Sequence, residues 1–270
     1  FNEKIMEKNI SKGILQGDSI SPMLFILSVD PIIKILQKEE GLICRDKNGK
    51  KLFSLNTLAF IDDIKIFSLW EKKTEELLKK LEKLMNKIGL QLNVKKSACS
   101  FNNTFNFENI DRNNWYKYLG VDENNTKINE IQMIEKIKNE ITRRTELICA
   151  QNLNSKNFST AMREYVGSLC NYFFGIIRFS EKEIQIIDKQ VRTILKKHSI
   201  FYKNASIIRL YLPRKMMGRG IPNFENAKDI SKFSLLNYIS KQDTNRKKFI
   251  FKNLEEKIKK DKLKISKKYD

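Results

Sequence analysis

The chemistry-bearing feature of this sequence is an adjacent pair of carboxylates, Asp62-Asp63, inside an apolar run that extends from Leu52 to Phe67. Phe60 and Ile61 precede the pair and Ile64 follows it. A carboxylate buried there without a partner is strongly unfavourable, so the pair needs either water or a cation. Two readings follow. A turn at a hairpin tip solvates both side chains, and Asp is a common turn residue. Alternatively the pair holds a divalent metal. Mg2+ prefers hard oxygen ligands and is typically bound by one or two carboxylates together with substrate phosphates. Two such ions clamp the attacking and leaving oxygens of an in-line phosphoryl displacement. Neighbouring strand residues point to opposite faces, so the two Asp are expected to be non-equivalent, one binding metal directly and the other supporting it.

The elements that must position this pair are legible from periodicity. Residues 12–22, Lys-Gly-Ile-Leu-Gln-Gly-Asp-Ser-Ile-Ser-Pro, form a loop. It opens an amphipathic helix from Pro22 to Gln37, with Pro suited to the first turn and Pro31 expected to kink or interrupt the helix. Gly41 to Lys51 is a polar turn region. Two short strands, over 55–60 and 64–68, are expected to flank a tight turn carrying the acid pair. Glu71 to Ile88 is a strongly amphipathic helix, closed by Gly89. Leu90-Gln91-Leu92-Asn93-Val94 alternates as a strand would, and Lys95-Lys96 follow. Alternating Phe and Asn over 98–121, ending in Trp115-Tyr116-Lys117-Tyr118-Leu119-Gly120-Val121, suggest further short strands. From about residue 128 the pattern turns helical, over 128–150, 156–177, 181–197, 224–240 and 246–266.

Composition bounds the partners. The 270 residues carry 52 Lys plus Arg against 32 Asp plus Glu, a formal net charge of +20, with 41% apolar residues. That apolar share is ordinary for a globular protein, and the charge favours polyanions. Abundant Lys, Asn and Ile also fit an AT-rich coding sequence, so part of the charge reflects composition rather than binding. No run of eighteen apolar residues occurs, and no membrane partner is expected. Cys44, Cys99, Cys149 and Cys170 are scattered and His198 is the only histidine, which is no zinc framework and fits free thiols in an intracellular compartment. Residues 241–270 hold twelve cations against five acids, in a solvated basic tail.

The motifs occur in a telling order. A Gln-Gly-Asp-x-x-Ser-Pro loop opens a helix. An aromatic-x-Asp-Asp hairpin follows, then a helix ending in Gly-Leu-x-x-Asn-x-x-Lys, then Tyr-Leu-Gly. The residues are Gln16, Gly17, Asp18, Ser21 and Pro22; Phe60 to Asp63; Gly89, Leu90, Asn93 and Lys96; and Tyr118, Leu119 and Gly120. This series resembles the later palm motifs of reverse transcriptases, and most closely those of non-LTR (LINE-type) retrotransposons. Arg143-Arg144, Asn152-Leu153 and Leu210-Tyr211-Leu212-Pro213-Arg214-Lys215-x-x-Gly218-Arg219-Gly220 resemble the downstream region of the same elements.

The resemblance implies an α+β fold: a partial polymerase palm over 1–121, short antiparallel strands with packed helices, then an all-helical thumb-like region over 122–240 and a basic helical tail over 241–270. It implies an RNA-directed DNA polymerase that uses Mg2+, an RNA template, a DNA primer and deoxynucleoside triphosphates, acting inside the cell and in the nucleus. Asp62 and Asp63 would bind the metal, Asp62 directly. Lys96, or its neighbour Lys95, would lie near the leaving pyrophosphate. Gln16 and Gly17 would lie along the template and incoming nucleotide, and Tyr118-Leu119-Gly120 would grip the primer. Arg143, Arg144, Arg214, Lys215 and Arg219 would contact duplex phosphates, although Gly218-Arg219-Gly220 equally suits a structural turn. Where the family usually has Tyr before the pair and then a small residue or Met, this chain has Phe60 and Ile61. The family's third carboxylate belongs to an upstream strand that residues 1–11 do not resemble. The chain is therefore expected to be the C-terminal part of such an enzyme, inactive without its N-terminal part. The alternative is a noncatalytic nucleic-acid-binding remnant of a decayed or domesticated element.

Overall fold

A computed structural model describes residues 13–15, 17–45, 48–101, 104–241 and 250. The fold is α+β. The chain divides into two compact units that meet at Lys127 and Ile128.

The first unit is organised by helices α1 (Ser21–Leu36) and α2 (Glu71–Lys87). Val29, Ile32, Ile33 and Leu36 of α1 are buried against Leu77, Leu81 and Met85 of α2. Both sets follow the three-and-four spacing that keeps side chains on one helical face. Helix α1 runs unbroken through Pro31, so the expected interruption does not occur. Helix α2 ends in a Schellman motif. Gly89 takes a φ of 78°. Leu90 N–H bonds the Met85 carbonyl at 3.0 Å and Gly89 N–H bonds that of Asn86 at 3.1 Å.

Among the described residues, four two-stranded ladders complete this unit. Strands β1 (Leu42–Arg45) and β2 (Lys51–Leu55) pair antiparallel, as do β3 (Thr57–Phe60) and β4 (Asp63–Ile66). Strands β5 (Ala98–Cys99) and β6 (Glu108–Asn109) pair in parallel, a departure from the all-antiparallel expectation. Strands β7 (Tyr116–Tyr118) and β8 (Val121–Glu123) are antiparallel. Part of the expected polar turn after Gly41 is thus strand β1. The expected strand at Leu90–Val94 is absent: Leu90 and Leu92 alternate because both pack on the α1–α2 core from an extended loop with no ladder partner. A 3-10 turn, Val94–Lys96, follows.

Isolated two-stranded hairpins are marginal in water, so the acid-pair hairpin needs an anchor. Ile64 and Ile66 supply one face of it by packing on the helical core. Asn56 supplies the base. It is buried, and its side-chain amide donates to the carbonyls of Leu36, at 2.5 Å, and Glu39, at 2.8 Å, at the end of α1. Its own carbonyl accepts from Phe67 N–H at 2.7 Å. Gly41 makes room for this junction, since a Cβ there would lie 2.4 Å from the Leu55 carbonyl oxygen. Lys80 and Lys73 of α2 both pair with Glu39, and their hydrogen bonds, that of Lys80 first, hold its carboxyl below its ordinary range.

The second unit is helical: α3 (Glu130–Cys149), α4 (Ser155–Ala161), α5 (Ser168–Phe173), α6 (Glu181–Lys197), α7 (Ile207–Tyr211) and α8 (Phe224–Ser240). Helix α3 packs on α6, and Met133, Ile137, Ile141 and Ile148 of the first and Ile184, Ile187, Val191 and Leu195 of the second are buried. Ser180 and Glu183 form a capping box at the start of α6. Helices α4 and α5 are joined by a π-helical turn, Met162–Gly167. Phe158, Met162, Val166, Cys170 and Phe174, which recur every fourth residue along this stretch, are all buried. The basic helix expected beyond Ser240 falls outside the described residues, apart from Lys241 and Ile250. No helix among the described residues is long and apolar enough to cross a membrane.

Asn56→Ala is expected to destabilise the first unit by ~1–3 kcal/mol, because it leaves the Leu36 and Glu39 carbonyls without their donor. Urea unfolding monitored by tryptophan fluorescence checks this; a shift no larger than that of an exposed-site control contradicts the anchoring role.

Candidate active site

Phe60 pairs with Asp63 across the β3–β4 hairpin, so Ile61 and Asp62 form a two-residue loop. Asp62 therefore sits in the turn and Asp63 opens strand β4. Alternation along β4 then decides orientation. Ile64 and Ile66 face the helical core, and Asp63 and Lys65 face the opposite way. Both carboxylates are exposed, and neither has a hydrogen bond or ion pair among the described residues. Ile61 takes a φ of 53°. Positive φ is unusual for a β-branched residue and strained, so the strain lies beside the acid pair.

Lys65 joins this hairpin to the next one. Its ammonium forms an ion pair with Glu123 on β8 and lies 4.8 Å from the Tyr118 ring centroid on β7. The pairing with Glu123 leaves Asp63 without a cation partner. The Tyr116 hydroxyl donates to the Lys96 carbonyl at 2.5 Å, tying β7 to the 3-10 turn that carries Lys95 and Lys96. The phenols of Tyr116 and Tyr118 are both pushed up, first by burial and next by the negative charge of Asp63. Asp63, Tyr116, Tyr118 and the Lys96 turn thus form one neighbourhood. The β7–β8 loop is Leu119-Gly120, with φ of 47° and 79°. Positive φ at both positions is the signature of a tight hairpin matched to strand twist.

The helix-opening loop is separately organised. Gly17 takes a φ of 98°, and a Cβ there would meet nothing within 4 Å, so backbone conformation rather than crowding favours glycine. Asp18 accepts from Ile20 N–H at 3.2 Å and the Ser21 hydroxyl donates to the Leu15 carbonyl at 2.5 Å. No hydrogen bond links this loop to the acid-pair hairpin among the described residues. Gln16 lies outside them.

The basic candidates of the second unit differ in their commitments. Arg143 and Arg144 both bind Glu140, at 2.7 and 2.8 Å, and hold its carboxyl down to about 2. Arg144 is half-buried: it also donates to the Tyr165 carbonyl at 2.6 Å and stacks 4.4 Å over the Tyr165 ring. It clamps α3 to the π-helical turn. Arg214 donates to the Ser155 hydroxyl at 2.6 Å. The side chains of Lys215 and Arg219 have no ion-pair partner among the described residues. Burial pushes the Cys149 thiol up to about 11 and that of Cys170 up to about 12, so neither is a nucleophile at neutral pH.

Sequence reasoning missed Lys65, Glu123 and the Tyr116–Lys96 link. The period-two spacing of Asp63, Lys65 and Phe67 was the available signal for Lys65. Its partner, fifty-eight residues away, left none.

The donor set fits a hard divalent cation in part. Two exposed, unpartnered carboxylates at a hairpin tip match the one or two that Mg2+ usually takes from protein. Among the described residues no group of three or more His, Cys, Asp or Glu side chains converges.

Residues 1–122, all within the first unit, match the family model of the reverse transcriptase (RNA-dependent DNA polymerase). A curated relative is the retrovirus-related Pol polyprotein from type-2 retrotransposable element R2DM of Drosophila melanogaster. It is 34% identical over 86 residues, which are 32% of this chain and 8% of that protein. The chain therefore covers less than a tenth of that relative's length.

Two outcomes follow from these geometries. Asp63→Asn is expected to let Tyr116 and Tyr118 ionise at lower pH, part of the way back to the ordinary phenol range, since burial is the larger cause. Tyrosine ring-carbon NMR across an alkaline titration reads this, and unmoved phenols contradict the placement of Asp63. The second concerns Glu140, whose folded carboxyl titrates below its unfolded value. Its stabilisation is complete above about 4.5 and fades as pH falls towards about 2. Glu140→Gln is expected to cost ~0.5–1 kcal/mol at neutral pH, with the difference narrowing in acid. Parallel urea melts at neutral and acidic pH measure it.

Proposed function

We propose that the first unit is the later part of the palm of an RNA-directed DNA polymerase from a non-LTR retrotransposon. The carrying observation is the unpartnered Asp62-Asp63 pair at a hairpin tip, inside the segment that matches the reverse transcriptase model. Asp62 and Asp63 would hold Mg2+, with Asp62, free in the turn, as the direct ligand. When bound, the metal neutralises the charge on the attacking primer 3′-oxygen and on the leaving phosphate oxygens.

The chain's own residues then have defined tasks. Lys96 is exposed on its 3-10 turn and offers an ammonium that stabilises the departing pyrophosphate or gives it a proton. Lys65, occupied by Glu123 and Tyr118, leaves the carboxylates available and fixes the angle between the two hairpins. The Tyr118-Leu119-Gly120 turn grips the primer strand, and the Gly17 backbone, with Gln16, lies along the template and incoming nucleotide. The second unit serves as the thumb. Arg143, Arg214, Lys215 and Arg219 contact duplex phosphates, and Arg144 acts as the clamp that presents them. Phosphate contacts of this kind set affinity and its salt dependence rather than sequence choice. The site of action is intracellular and nuclear, where such an element would copy its RNA.

A pair of carboxylates under-supplies a two-metal centre, and no third acid joins it among the described residues. We read the third carboxylate and the fingers as parts of the polymerase outside these 270 residues. The same observation favours, as the second reading, a noncatalytic nucleic-acid-binding remnant.

Primer extension on an RNA template separates the readings. The 270-residue chain is expected to give no cDNA, while Mg2+ tightens its binding to template–primer and Asp62→Asn abolishes that effect. Binding that ignores both Mg2+ and Asp62→Asn favours the remnant. Sustained cDNA synthesis overturns the incomplete centre.

A further inference from the structure

The segment after α7 has features that phosphate contact alone does not use. Met216 and Met217 are 62% and 79% exposed, adjacent, at the tip of a turn between Pro213 and Gly220. Met217 takes a φ of 61°.

The turn is held by its backbone. Gly218 N–H bonds the Pro213 carbonyl at 3.2 Å, Gly220 N–H that of Leu212 at 2.9 Å, and Arg219 N–H that of Arg209 at 2.9 Å. The Arg209 guanidinium donates to the Met217 carbonyl at 3.2 Å, fixing the tip from α7. Gly218 is required by close approach, since a Cβ would lie 1.9 Å from the Leu212 carbonyl oxygen. The methionines are thus presented on a stiff support.

The chain that flanks them is cationic. Residues 199–224 contain Lys203, Arg209, Arg214, Lys215 and Arg219 and no acid. The partner of such a surface is a polyanion, and the apolar tip requires that it also offer an apolar face. Nucleic acid with accessible bases meets both conditions. Methionine sulfur packs well on aromatic rings, and apolar side chains flanked by cations wedge between base steps. An anionic membrane meets the charge condition, but it needs a long amphipathic face, whereas exposed Tyr202, Ile207, Ile208, Met216 and Met217 are interleaved with cations around a helix of only five residues.

We infer that the Pro213–Gly220 turn is a nucleic-acid wedge, in which Met216 and Met217 pack against an exposed base while Lys215, Arg219 and Arg214 hold the flanking phosphates. The inference rests on the proposal that this chain handles nucleic acid, but not on polymerisation.

The test uses the full 270-residue chain and a short RNA–DNA hybrid with 2-aminopurine at its terminal step, in EDTA and without nucleotides, so absent catalysis does not affect it. Anisotropy gives affinity across a KCl series, and 2-aminopurine emission reports unstacking. Native chain is expected to raise that emission. Met216→Ser with Met217→Ser is expected to lose the rise and weaken binding about tenfold at an unchanged salt slope. Arg214→Gln with Lys215→Gln is expected to lower the slope by about 2. All substituted side chains are exposed, and circular dichroism confirms the fold. A double-Ser variant that binds and unstacks like native overturns the wedge. So does binding to phosphatidylserine vesicles that the hybrid does not displace.

Discussion

Strand β4 carries two incompatible demands on alternate residues, and the candidate site follows from their resolution. Ile64 and Ile66 must be buried on the α1–α2 core, so Asp63 and Lys65 must face away from it. A slip of one residue would drive a carboxylate and an ammonium into an apolar interior and expose two isoleucines. The register is therefore fixed by the core rather than by the short ladder. Asn56 reinforces it from the hairpin base by donating to two carbonyls at the end of α1. The tip beyond this anchored stem can then carry what is locally unfavourable: a β-branched residue at positive φ and two adjacent like charges.

The same economy governs the cations around the pair. Lys65 is the nearest basic residue in the strand, and left free it would pair with Asp63. It is drawn instead to Glu123 and to the face of Tyr118. One cation thus binds two hairpins together and keeps the acid pair open to an outside partner. In the second unit Arg144 is committed in the same manner, to Glu140 and Tyr165, whereas Lys215 and Arg219 have no ion-pair partner among the described residues.

Much of this was legible in the sequence where one residue's neighbours along the chain decide its fate. Helices over 181–197 and 224–240 follow directly from their apolar spacing, and the hairpin carrying Asp62-Asp63 from the acids interrupting an apolar run. What escaped was decided at long range. Leu90 and Leu92 alternate like a strand, yet alternation says only that two side chains share a face. A ladder also needs a partner, and there is none among the described residues. Strand β1 carries its own signal in Leu42, Ile43 and Cys44, but the polar turn that follows it hid those three residues. The roles of Asn56 and Lys65 depend on groups twenty and fifty-eight residues away.

The π-helical turn is tied to the rest of the second unit through one of its own carbonyls. Phe158, Met162, Val166, Cys170 and Phe174 bury one side of that stretch. Arg144, already paired with Glu140, reaches from α3 to the Tyr165 carbonyl and lies over the Tyr165 ring. An arginine that reads from sequence as a phosphate ligand thus has donors committed to a carboxylate and a carbonyl and its plane to a ring, so its removal costs packing as well as charge.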